Sequence, residues 1–99
     1  MKDFDVRQLN IMIDMINDYR SDVIELSDLI YNLEAILNCL EDRNLEWENQ
    51  FRRYWANLEI VYAVSLTNEQ SQFDSGDIAL IRESLEKLTT IIKQRLNIN

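Results

Sequence analysis

No histidine and no proline occur in this 99-residue chain, and glycine and cysteine occur once each. The missing histidine removes the usual general base near neutral pH, the commonest metal ligand and every His-dependent triad. The Glu-x-x-His pairs of helical di-iron sites cannot form, and Cys39 alone cannot build a zinc cluster. With Gly76 as the only glycine there is no phosphate-binding loop, and "DSGD" lacks the alternating acids and later Glu of a calcium loop. Cys39 has no partner for an internal disulfide, in keeping with a reducing compartment. No apolar run approaches the roughly 20 residues that cross a membrane. The acidic start "MKDFDVRQLN" has neither the cationic nor the apolar segment of a secretory signal. These features predict a cytoplasmic location, no cofactor, and a function other than enzymatic.

The scarcity of Gly and Pro also bears on the fold. Sheets need tight turns, and tight turns draw on those residues. What remains is a pattern of long helices with few connections. With 46% hydrophobic residues, the chain has enough apolar side chains for one modest core, so residues 1–99 are expected to form a single helical domain.

Four segments carry the helical period. The first runs from about Asp5 to Tyr19, with Val6, Leu9, Met12, Ile13, Ile16 and Tyr19 on one face. Asp3 and Asp5 sit at its start, where the helix dipole favours negative charge. In the connection "RSDVIEL", Val23, Ile24 and Leu26 are expected to tuck against the core. Ser27 is the predicted N-cap of the second segment, which reaches Leu40 with Leu29, Ile30, Leu33, Ile36, Leu37 and Leu40 as its stripe. The third runs from Leu45 to Leu66. The fourth, capped by Asp74 or Ser75, runs from Asp77 to Leu96 on Ile78, Ile81, Leu85, Leu88, Ile92 and Leu96. The predicted fold is all-α, a compact bundle of four main helices with the third central.

The third segment is the richest in aromatics. Trp47, Phe51, Tyr54, Trp55, Leu58, Val61, Tyr62 and Leu66 fall within one arc of roughly 140°, the spacing of a buried stripe. A base-stacking platform would want a basic groove beside it, and the charge balance opposes one. Ala56, Ile60, Ala63 and Val64 occupy the far side, which predicts cover on more than one face. Arg52 and Arg53 lie off the arc and read as surface partners for nearby acids. Glu59, in "WANLEIVYA", reads as a buried anchor accepting a Tyr hydroxyl or an Arg, with proton transfer as the alternative. Cys39, among acids that work against a nucleophilic role, reads as core or boundary filler.

Charge is unevenly placed. Residues 1–50 hold 12 acids and 4 bases, whereas residues 51–99 hold 6 of each. All of the net −8 therefore lies in the first half. Such a protein is repelled by nucleic acid and by anionic lipid and attracted to basic proteins. Ile11, Asp14 and Asp18, with Arg7, fall opposite the core stripe of the first segment, an apolar centre with a charged rim. Asp22 and Glu25 extend that surface. Glu41, Asp42, Glu46 and Glu48 form a second acidic group, and Tyr31 lies off its own stripe as an exposed anchor. These ten residues, Arg7 excepted, are the candidate partner-binding set. The spacing of Asp14, Asp18 and Asp22 also admits a short nucleic-acid mimic.

The layout "LIYNLEAILNCLEDRNLEWENQFRRYWANLEIVYAVSL", followed by a polar loop and "DIALIRESLEKL", resembles small all-helical immunity proteins of bacterial contact-dependent growth inhibition and related polymorphic toxin systems. Leu33-Glu34, Leu45 to Trp47, Phe51, Trp55, Leu58-Glu59 and Tyr62-Ala63 carry the resemblance, over residues 27–92. They are helix-core positions and bring no functional residue with them. The resemblance implies a cytoplasmic antidote that binds one cognate toxin domain, commonly a basic nuclease, and blocks its active site. A non-enzymatic helical adaptor or oligomeric structural protein is the alternative. Nothing in the pattern sets an oligomeric state.

Overall fold

The computed structural model describes residues 1–67 and 73–97. It consists of α1 (Asp3–Arg20), α2 (Leu26–Cys39), α3 (Leu45–Thr67) and α4 (Ser75–Asn97). Each helix packs on two others in a closed ring: α1 on α2, α2 on α3, α3 on α4, and α4 on α1. The α3–α4 seam is the most extensive, which gives the third helix the central packing role expected of it. Neighbours run antiparallel. Trp47 at the start of α3 donates from its indole to the Ile91 carbonyl near the end of α4 (3.0 Å). Tyr19 and Arg20 at the end of α1 line a groove with Ile78 at the start of α4. Short connections between sequential helices favour this arrangement.

The core is built from the predicted stripes. Leu9, Met12, Ile16, Leu29, Leu33, Leu37, Phe51, Leu58, Leu85, Leu88 and Ile92 are buried. The aromatics of α3 belong to it: Phe51 is fully buried, and Trp47, Tyr54, Trp55 and Tyr62 pack half-buried against the rest. Both indoles find carbonyls, Trp55 donating to Ile30 (2.9 Å), as a buried Trp requires.

Three apolar expectations fail. Val23 is 68% exposed rather than tucked in, although Ile24 packs on the core and Leu26 is buried. On the far side of α3 only Ala56 is half-buried, whereas Ile60, Ala63 and Val64 are exposed and not covered by the described residues. A helix in a ring of four touches only its two neighbours, and the remainder of its circumference faces solvent. Leu66 and Ile78, expected in stripes, lie at helix ends beyond the layer of full burial and are exposed.

Helix ends follow local chemistry. The cap position of α2 is Glu25 and not Ser27, and the Asp28 carboxylate accepts the Glu25 amide at 3.4 Å in the arrangement of a capping box. The helix starts earlier because that brings buried Leu26 into its first turn. Asp74 caps α4, accepting the Asp77 amide at 2.8 Å. Asn44 caps α3 through the Trp47 amide at 3.0 Å. The end of α1 is a Schellman motif. The Val23 amide reaches the Asp18 carbonyl (2.8 Å), the Asp22 amide reaches that of Tyr19 (3.1 Å), and Asp22 adopts φ 61°.

Candidate functional site

The candidate surface is set by which side of α1 and α2 the ring leaves free. Asp5, Leu9, Met12 and Ile16 recur at spacings of four and three and are all buried. That turns Arg7, Ile11, Asp14 and Asp18 outward together. Ile11 is 42% exposed among them. On α2 the buried stripe turns Tyr31 outward, 73% exposed. Asp22 and Glu25 are exposed in the α1–α2 connection. Burial, and then the nearby Asp22 carboxylate, holds the Tyr19 hydroxyl above its ordinary pKa of 10.0.

Asp22 sits against two local preferences. The left-handed position of a Schellman motif favours Gly, and the C-terminal end of a helix disfavours negative charge. A residue that costs stability locally is a pointer to use.

Glu41, Asp42 and Glu46 are exposed at the other end of α2. The 14 residues of α2 separate the two acidic groups by about 20 Å along its axis. They flank Tyr31 and do not merge into one patch. Glu48 leaves the set. It is 8% exposed and holds Arg43 at 2.6 Å, because the Arg43 side chain folds back over the helix start to reach the Leu37 carbonyl at 3.1 Å.

Two further readings are corrected. Glu59 is exposed: its apolar neighbours in sequence point elsewhere, since each residue turns about 100° from the last. Cys39 is exposed at the end of α2; it lies two residues past the buried Leu37 and off that stripe. Arg52 meets the expectation of an acid partner, lying 3.8 Å from Glu34 and donating to Asn38 Oδ1 at 3.0 Å. Arg53 is exposed and has no ion pair among the described residues.

The most deeply buried carboxylate among the described residues is instead Asp5, 1% exposed. Its two oxygens accept the backbone amides of Glu41 (2.8 Å) and Asp42 (2.7 Å). Arg95 donates to the Asp42 carbonyl and stacks 5.0 Å over the Trp47 ring. The α2–α3 connection is thus fixed from both chain ends. The signal was present in the sequence, since Asp5 stands in register with the core stripe.

Among the described residues no three His, Cys, Asp or Glu side chains gather as a metal site, and no helix is long and apolar enough to cross a membrane. Comparison of the chain with protein-family models, with curated proteins and with solved structures finds no match in any of the three.

Proposed function

We propose that this protein is an immunity protein, which neutralises a cognate basic toxin domain of nuclease type by covering its active site. One observation carries the reading: nine of the twelve acids of the first half are exposed, with Asp14 and Asp18 beside the exposed Ile11 on α1 and the two separate acidic groups flanking the exposed Tyr31. An apolar centre within a charged rim is the anatomy of a protein interface. Acidic rims speed encounter with a basic partner and place carboxylates where that partner expects substrate phosphate.

The test is capture of partners on the full chain from lysate of its own bacterium, at low and then high salt. A single stoichiometric basic protein, lost as salt rises, is the expected result. Reversal of Asp14 and Asp18 to Lys should slow association with that protein; an unchanged rate sinks the acidic-face mechanism. The second reading, an adaptor or oligomer, is favoured by the uncovered Ile60, Ala63 and Val64 of α3. Sedimentation as a strict monomer at high concentration removes its oligomeric form.

A further inference from the structure

At the end of the bundle where α1 finishes and α4 begins, two cavities share the side chains of Tyr19 and Phe73. These two rings form the partition of one divided cleft. On one side the cavity measures about 420 Å³, and Asp22 and Glu25 stand at it beside Tyr62. On the other it measures about 320 Å³ and is lined by buried Ile81 and Leu85, by Ile78 and by the exposed Arg20 and Arg82. Both volumes fall in the range of about 300–1,000 Å³ typical of ligand sites. Ile78 is 46% exposed there. Neither Arg20 nor Arg82 has an ion pair among the described residues.

We propose that this cleft docks a peptide segment of a partner protein, in which apolar side chains lie between one acidic and one basic residue. The acid faces Arg20 and Arg82, and the base faces Asp22 and Glu25. The signs at the two rims carry the inference. Guanidinium forks match a carboxylate, whereas carboxylates beside aromatic rings suit an ammonium or guanidinium. A wholly acidic segment meets the net −8 of the chain, and a wholly basic one meets the two arginines. A segment of mixed sign satisfies both rims, and its apolar residues cover Ile78 and the Tyr19–Phe73 partition. Successive side chains of one segment can enter both lobes, which a single small molecule on either side of the partition does not.

The cleft meets the acidic surface at Asp22 and Glu25 but does not depend on a toxin partner. Arg20 and Arg82 belong to the cleft alone, so variants there separate its failure from failure of the immunity reading.

A random peptide library displayed on phage, selected against the full chain, tests the proposal. Enriched peptides should carry one or two apolar residues between opposite charges. Their affinity, read by fluorescence anisotropy, should fall roughly tenfold on Arg20→Gln with Arg82→Gln, a difference of about 1.4 kcal/mol. That fall should vanish once the peptide's acid is made an amide. Asp22→Asn with Glu25→Gln should show the same coupling to the peptide's base; Asn tolerates the left-handed backbone, and Gln keeps the backbone amide that Asp28 accepts. Far-UV circular dichroism matching the parent shows that each variant is folded. Peptides lacking this order of charge, affinities indifferent to both variant pairs, or no enrichment beyond that given by Ile78→Asp bait overturn it.

Discussion

The two ends of the bundle are built from connections of equal length and opposite character. The α2–α3 connection, residues 40–44, is held by the buried Asp5 carboxylate on two amides, by Arg43 on carbonyls and Glu48, and by Arg95 on Asp42 and Trp47. The α1–α2 connection, residues 21–25, has backbone bonds of the Schellman motif, an exposed Val23 and a cleft beside it. Length does not decide how firmly a connection is held. What decides it is whether distant parts of the chain contribute groups that satisfy its backbone. Asp5 does this across 36 and 37 positions of sequence. The pinned end spends Asp5, Arg43, Glu48 and Arg95 on internal partners while Glu41, Asp42 and Glu46 stay exposed, and the open end leaves Asp22, Glu25, Arg20 and Arg82 available for others.

The largest effect expected on this contrast is at Trp47. Trp47→Ala removes the bond to Ile91, the stacking on Arg95 and the contact with Phe51, whose ring lies 5.4 Å away. A half-buried Trp lost in this way should cost about 3 kcal/mol, read by urea unfolding. Asp5→Ala comes next at about 2 kcal/mol, since two charge-assisted bonds vanish while water can reach the exposed connection. Hydrogen exchange sharpens it: the Glu41 and Asp42 amides should be protected in the parent and exchange freely in the variant. Equal exchange in both would place the pin elsewhere.

The open end responds in the other direction. Asp22→Gly relieves the left-handed backbone and takes a negative charge from the end of α1, so stability should rise by up to about 1 kcal/mol. A loss there would mean that Asp22 makes a compensating contact. The smallest effect is one of pH. The Tyr19 hydroxyl titrates above its ordinary value in the folded state, so the unfolded chain loses that proton first. Its contribution is fully present below about pH 10 and is lost as pH rises toward the folded value. Tyr19→Phe should therefore flatten part of the alkaline fall in Tm, and Asp22→Asn, by removing one cause of the raised folded-state value, should make that fall shallower.

The four helices were legible in the sequence because their apolar residues repeat every three or four positions, and that period survives whatever the helices pack on. Ile11 and Tyr31 were legible as exposed for the same reason. Glu59 misled because average hydropathy ignores direction: a carboxylate amid Leu58, Ile60 and Val61 still points to solvent when its own angle does. At the start of a helix an acid such as Asp5 is explained by the dipole alone, whereas the partners of this one lie on another element. Cover over Ile60 and Val64 was expected from their chemistry alone, yet cover depends on how many neighbours a helix has. The divided cleft could not be read at all from local pattern, since Tyr19, Phe73, Arg20 and Arg82 come together only when the first and last helices close the ring.

Met1 and Arg95 line one cavity against the α2–α3 connection, so the start of α1 and the last turn of α4 lie on the pinned side. Joining the end of α4 to the start of α1 by a linker and reopening the chain beside exposed Val23 would give the order α2-α3-α4-α1 with every seam of the ring retained. In such a rearranged chain the cleft would border a free end, and its grip on a bound segment could be tuned by what is appended there.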